Sequence, residues 1–378
     1  MTLDPARWVQ LDPGSDRRYP LPRWQHDSET LYEGERLRIG VFAADATDPR
    51  FRFSGVCDAP LIAFPRTCFL LQPMGGSAVV ADPMVALLYE PDRVYYRFAF
   101  DDARAKPEGE AEPSSSTSRG PRRDDPPVRA RPPASEGDDS AWLELSADRL
   151  REEVVGARAS SADAANPDDD SSRPGAVWPS LLAPADAATY LLQDQLLRHL
   201  EEMRAQRVQP NAELVENASA TIVRRTLRDL ARLRRTGVRE SEGHPAPRPE
   251  REEAVAEPFR RQLAGRRLGG MSVRRAIEES GVSKTHVNRV LRAYLGWSPH
   301  RYGLELRLRC ALLRWAAPPP GAQVACEAAE TLADLSRTLG FSSHSHLTAR
   351  FRQVFGIVPS WLREGSTEGR LRQLLGRF

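Results

Sequence analysis

Two stretches of the chain set out side chains suited to the edges of nucleic-acid bases. In the first, Thr285, Asn288 and Arg289 recur at i, i+3 and i+4, one face of a helix. Arginine can pair bidentately with guanine O6 and N7, and asparagine with adenine N6 and N7. Threonine can meet the thymine methyl group. Lys284 and Arg292 stand at the two ends of this helix, better placed for phosphate. In the second stretch His344, Ser345 and Thr348 face outward with Ala349 and Arg352, and Arg350 stands one step along.

Such side chains work only when a scaffold presents them. The sequence predicts a helix, a turn and a second helix at both places. In the downstream unit, 331–355, Thr331 is a good N-cap and Asp334 completes a capping-box-like pair. Leu332, Leu335 and Leu339 give the first helix an apolar face. Gly340 falls where a helix must end in a left-handed residue, and Phe341 follows as an apolar plug. Ser342 or Ser343 caps the second helix, in which Leu347, Phe351 and Phe355 recur every four residues. Gly356 ends it and Pro359 prevents continuation.

The upstream unit, 272–295, repeats the pattern. Ser272 and Ser283 are the caps, Gly281 marks the turn, and Val287, Val290, Leu291 and Tyr294 or Leu295 face inward. Gly296 and Pro299 then match Gly356 and Pro359. Between the units, 301–316 reads as one continuous helix, about 24 Å long. A connector of that length could hold two heads near the ~34 Å repeat of successive major grooves.

Charge agrees with this division. From Arg251 onward the balance is +10, with 21 Lys/Arg against 11 Asp/Glu, which leaves −8 for the first 250 residues. A basic module that meets phosphate on an acidic body that does not fits these values. Cys57, Cys68, Cys310 and Cys326 form no CxxC and stand with no histidine cluster, against structural zinc or a disulfide framework. The opening residues lack the apolar core of a signal peptide, and no apolar run has the length of a membrane span. The expectation is a soluble, cytoplasmic protein with no metal, no cofactor and no membrane partner.

Residues 36–100 alternate short apolar runs with Gly, Pro and Asp breaks, which predicts an antiparallel sheet or barrel. The stretch 101–140 is polar and rich in Pro, Ser and charge, so it is expected to be a disordered insert before a strand at 141–145. A polar linker is read over 159–176. Helices follow at 185–206 and 212–235, packed on the sheet or forming a dimerisation hairpin, and a hinge is read at 236–250.

The sequence GFSSHSHLTARFRQVFGIVPSWLR (340–363) resembles the signature of the AraC/XylS family of transcription regulators. GVSKTHVNRVLRAYLGWSPHRYGLELRLRCALL resembles that family's first unit and connecting helix. Gly281 to inward Val287 is six residues and Gly340 to inward Leu347 is seven, an asymmetry typical of the family. The resemblance implies an all-helical domain of about seven helices. It implies base reading by Thr285, Asn288 and Arg289 in one unit and by His344, Ser345 and Thr348 in the other. Ala349 departs from the pattern, since an arginine is common there, and 317–330 is longer than the usual joint.

The N-terminal region, chiefly 64–97, is similar to the family's cupin-type arm. The resemblance then implies an α+β chain with a cupin-like antiparallel barrel over 1–158, a linker and helical hairpin over 159–250, a DNA-binding domain over 251–365 and a tail over 366–378. The implied partner is double-stranded promoter or operator DNA. An effector, a second copy of the chain and RNA polymerase are further expected partners of an activator. Only His26 precedes residue 199, so a metal-dependent cupin enzyme is not expected. Asp82, Tyr89, Tyr95, Arg97 and Trp142 are candidates for a pocket, or for ordinary core. The competing readings are an enzyme or repair-type protein with an added DNA module, and a DNA accessory protein.

Overall fold

In the computed structural model of the protein, the described residues are 8–10, 18–20, 28–45, 59–73, 78–91, 93, 95–98, 137–159, 182–239, 249–264, 272–316 and 330–378. Eleven strands are described: β1 (Trp8–Gln10), β2 (Arg18–Pro20), β3 (Ser28–Glu33), β4 (Leu37–Asp45), β5 (Leu61–Pro65), β6 (Phe69–Pro73), β7 (Val79–Ala81), β8 (Val85–Tyr89), β9 (Tyr95–Phe98), β10 (Gly137–Leu145) and β11 (Leu182–Pro184). They form a six-stranded sheet in the order β11-β8-β5-β10-β4-β3, a three-stranded sheet β7-β6-β9 and the pair β1-β2, all antiparallel. Among the described residues these sheets are open and no closed barrel is present.

The main sheet is buried on both faces, and its alternation sorts side chains into two cores. On β5, Ile62 and Phe64 enter one core while Leu61 and Ala63 enter the other. On β8, Ala86 and Leu88 oppose Val85, Leu87 and Tyr89 in the same way. A strand covered on both faces reads as a continuous apolar run, as LIAFP and VALLY do. β10 takes its place between β4 and β5. It runs from Gly137, as in the 136–145 stretch that resembles a resuming strand of the family's arm, and the long β4 offers Asp45, Ala44 and Ala43 as partners for Gly137, Asp138 and Asp139. The rest of the expected disordered insert, Cys57, and the linker at 160–176 lie outside the described residues.

Ten α-helices follow: α1 (Ala147–Ala159), α2 (Ala187–Ala205), α3 (Ala212–Arg239), α4 (Pro249–Ala264), α5 (Val273–Glu279), α6 (Lys284–Leu295), α7 (Pro299–Ala316), α8 (Leu332–Thr338), α9 (His344–Phe355) and α10 (Thr367–Leu375). The sequence reading had no counterpart for α1 or α4. The hinge expected at 236–250 is helical at both ends, since α3 runs to Arg239 and α4 begins at Pro249. The expected tail is α10. Ser366 Oγ accepts from Gly369 N, and Leu371 and Leu374 are buried against the α2–α3 hairpin. Arg370 Nε donates to Gln195 Oε1 of α2 at 2.9 Å.

One face of the sheet shares its core with α2, α3 and the second helical unit, and the other with α4 and the first unit. Polar contacts lock the second junction. Arg260 of α4, 0% exposed, donates to Val80 O at 2.6 Å, Tyr302 Oη at 2.9 Å and Glu257 Oε1 at 2.5 Å, and lies 3.4 Å from Asp82 Oδ2. Glu257 Oε2 accepts from Val80 N at 2.5 Å, and Tyr302 Oη donates to Asp82 Oδ2. Arg309 of α7 donates to Pro83 O and Ala185 O, both at 2.5 Å. Burial opposes the charge on Arg260, but Glu257, Tyr302 and Asp82 hold its pKa well above the ordinary value.

Replacing Arg260 strands two buried carboxylates. Arg260→Met is therefore expected to cost about 3–5 kcal/mol of unfolding free energy in denaturant titration, as for other broken buried pairs. A loss within about 0.5 kcal/mol, the usual surface value, would remove the cluster from that role.

A second titration is written into the hairpin. Burial and then Asp186 push the Asp229 carboxyl up to about 7, against Arg225 and Arg232. The folded state thus holds its proton over a range where the unfolded chain has lost it. That group's contribution to stability falls as pH rises from the ordinary aspartate value, ~3.9, towards neutrality. Asp229→Asn should gain stability relative to the parent across that window and keep the gain at pH 8. Parallel stability curves for the two proteins would show that Asp229 does not titrate there.

Candidate nucleic-acid interface

Each helical unit is shaped by local signals before any distant contact. Ser272 Oγ accepts from Arg275 N and Ser283 Oγ from His286 N, which satisfies donors that the first turns of α5 and α6 would leave unpaired. Gly281 takes φ +70° at the turn and Gly296 φ +79° at the end of α6, backbone that side-chain-bearing residues rarely adopt. Ala276, Val287, Val290, Leu291 and Leu295 are buried, while Val273, Ile277 and Tyr294 are half-buried.

The downstream unit repeats this. Thr331 Oγ1 accepts from Asp334 N at 3.1 Å and donates to Asp334 Oδ2 at 2.6 Å, which holds the Asp334 carboxyl below the usual carboxylate range. Gly340 has φ +70° and Gly356 φ +72°. Phe341 is buried in the turn, and its N–H reaches Ser336 O at 2.8 Å. Of the two candidate caps it is Ser343 that serves, accepting from His346 N at 3.1 Å. Ser342 instead meets His346 Nδ1 at 2.9 Å. Leu347, Phe351 and Phe355 fill the inner face, with the two phenylalanine rings 4.6 Å apart.

The outward faces are left to solvent. Lys284, Thr285, Arg289 and Arg292 are exposed on α6, with Asn288 half-buried between them. His344, Ser345, Ala349, Arg350 and Arg352 are exposed on α9, and Thr348 is half-buried. Arg350 is engaged along its own helix, with Nε 3.4 Å from His346 Nε2 and Nη1 2.8 Å from Gln353 Oε1. His346 was not singled out from sequence. Its spacing, four residues after Ser342 and four before Arg350, is the signal that would have marked it. Pro299 opens α7 and Pro359 opens a short 3-10 turn, Pro359–Arg363, and both prolines are buried.

The five pocket candidates fall into core instead. Asp82 belongs to the Arg260 cluster. Tyr89 and Tyr95 meet edge to face, and Tyr95 Oη accepts from Glu90 N. The Arg97 guanidinium lies 4.0 Å from the centre of the Phe42 ring. Trp142 lies against Gly40, where an added Cβ would come within 2.3 Å of its ring. Among the described residues no group of three His, Cys, Asp or Glu is placed to hold a metal ion, and no helix is long and apolar enough to cross a membrane.

Residues 276–365 match a family model described as a helix-turn-helix domain. No curated protein matches the chain. Among solved structures, an AraC-type DNA-binding domain protein from Chromobacterium violaceum is 24% identical, with 29% of this chain and 89% of that one covered and a TM-score of 0.25. Wild-type ToxT from Vibrio cholerae, bound to unsaturated fatty acid, is 8% identical, with 88% and 96% covered and a TM-score of 0.27. The AraC-like transcriptional activator CuxR is 12% identical, with 70% and 72% covered and a TM-score of 0.25. With two capped units and exposed outward faces in place, the family match identifies residues 276–365 as a helix-turn-helix DNA-binding domain.

Proposed function

We propose that α6 and α9 enter successive major grooves of promoter or operator DNA. Thr285, Asn288 and Arg289 read bases from the first helix, and His344, Ser345 and Thr348 from the second. Lys284, Arg292, Arg350 and Arg352 meet phosphate. The observation that carries this reading is the pair of matched units whose outward faces hold exposed donors and acceptors while their inner faces are mostly apolar. Ala349 stands where an arginine is common in the family that the sequence resembles, so the first head carries more of the base discrimination.

In the same proposal residues 1–158 form a cupin-like sensing or dimerisation arm, 159–250 join it to the DNA-binding domain at 251–365, and the chain catalyses no reaction. Control by an effector or by pairing is supported by the buried contacts that Arg260 and Arg309 make to the sheet. RNA polymerase is the expected further partner on DNA.

Binding to duplexes enriched from random DNA is expected to weaken steeply as salt rises, because each neutralised phosphate releases counterions. Arg289→Ala should cost about 1–3 kcal/mol on the preferred site and relax choice at one base pair. A salt-independent affinity would overturn the reading, and an unchanged base preference would remove Arg289 from it.

A further inference from the structure

We propose that Arg307 and the Trp315–Arg363 pair clamp the second reading head onto α7 at two points, and so set the spacing between half-sites that the chain accepts. The inference rests on the reading of α6 and α9 as base-reading helices. It begins from the joint. Residues 317–331 connect α7 to α8, a contour of roughly 50 Å when extended. The alignment of the second head on α7 is read from the side-chain contacts between them.

The first contact is at the turn between α8 and α9. Arg307, half-buried along α7, donates from Nε to Gly303 O at 3.2 Å and from Nη1 to Gly340 O at 3.5 Å. Its guanidinium also stands 5.3 Å from the centre of the Phe341 ring. Burial lowers its pKa, and among the described residues no carboxylate pairs with it. The cation is thus spent on a carbonyl and an aromatic face, a pair of contacts that a planar guanidinium meets together better than an ammonium.

The second contact is at the far end of the head. Trp315 Nε1 donates to Pro359 O at 3.0 Å. Arg363 donates from Nε and Nη2 to Trp315 O at 3.2 and 3.1 Å, and its guanidinium lies 3.5 Å from the centre of the indole ring. Trp315 O is in the last turn of α7, where helical carbonyls lack partners, so Arg363 supplies one. Arg307 and Trp315 are about 12 Å apart along the helix axis. The two contacts stand at opposite ends of the apolar core that α7 shares with the second head, and so hold that core in one orientation. None of the three residues belongs to the proposed reading set.

The test uses the full chain and duplexes enriched by it from a random-sequence pool, remade with one or two base pairs added or removed between half-sites. Each base pair turns the second site by about 35° around the duplex. The parent chain is expected to lose affinity at least about tenfold on a one-base-pair change. The double variant Arg307→Met with Arg363→Met should hold its affinity within about threefold across the series. Arg307→Lys with Arg363→Lys, which keeps the charge, should flatten the profile in the same way. A sharp parental profile in either variant overturns the clamp.

Hydrogen exchange separates this failure from failure of the base-reading proposal. The Gly340 and Phe341 amides are bonded to Arg337 O and Ser336 O. They should exchange at least about tenfold faster in Arg307→Met, while the β10 amides keep parental protection and so report an intact fold. Unchanged exchange at both overturns the clamp even if the pool yields no preferred sequence, a result that by itself would count against base reading alone.

Discussion

A guanidinium removed from water must have each of its donors met, and Arg260 shows what that demands of a fold. Its partners come from three separate pieces of chain: Val80 and Asp82 at the end of β7, Glu257 on its own helix, and Tyr302 on α7. None can shift without exposing a charge or leaving a buried polar atom unpaired, and either costs several kcal/mol. The turn between β7 and β8 is therefore tied to α4 and α7 together. Because α4 also lies against α5 and α6, the first helical unit stands on β7 and the turn after it through this cluster. Arg309 repeats the device nearby, holding Pro83 O and Ala185 O with one side chain.

That dependence changes the meaning of the connecting helix. As a sequence, RYGLELRLRCALLRWA reads as a rod between two heads, with a broad apolar side. In the structure Tyr302, Leu306, Leu308, Arg309, Cys310, Ala311 and Leu312 are all buried. Leu306 and Tyr302 belong to the core of the first unit, while Leu308, Ala311 and Leu312 belong to that of the second. A helix apolar on most of its circumference is an internal helix. Here it is the member shared by both cores, so the separation of the heads is fixed by packing as well as by helix length.

The parts legible in the sequence are those decided within a few residues. Caps at Ser272, Ser283 and Thr331, left-handed glycines at 281 and 340, and the inward runs from Val287 and Leu347 all follow from local spacing. The parts that escaped are decided at a distance. In PEREEAVAEPFRRQLA the charged residues and the internal Pro258 hide a helix whose Glu257 and Arg260 are buried rather than solvated. Only a partner about 180 positions earlier in the chain explains them. Asp82 suggested a ligand pocket for the same reason: an acid in an apolar stretch does not announce which distant cation it meets. Strand existence was readable from alternation, but closure was not, because it turns on whether the edge strands β3 and β11 meet.

The two heads are anchored unequally. The first shares its core with one face of the six-stranded sheet and is held through α4 and the Arg260 cluster to β7 and the turn after it. The second shares its core with α2 and α3, and the helix beyond it, α10, is bound to α2 by more than apolar contact. Thr367 Oγ1 donates to Glu202 and lies 3.2 Å from His199 Nδ1, while Arg370 bridges Gln195 Oε1 and the carbonyls of Glu364 and Gly365. His199 is fully buried, and burial lowers its pKa against the pull of Glu368 and Glu202. Each head thus reports to a different face of the same sheet. The sheet's own pleat, which sends alternate residues of β5 and β8 to opposite cores, is what keeps those two faces distinct.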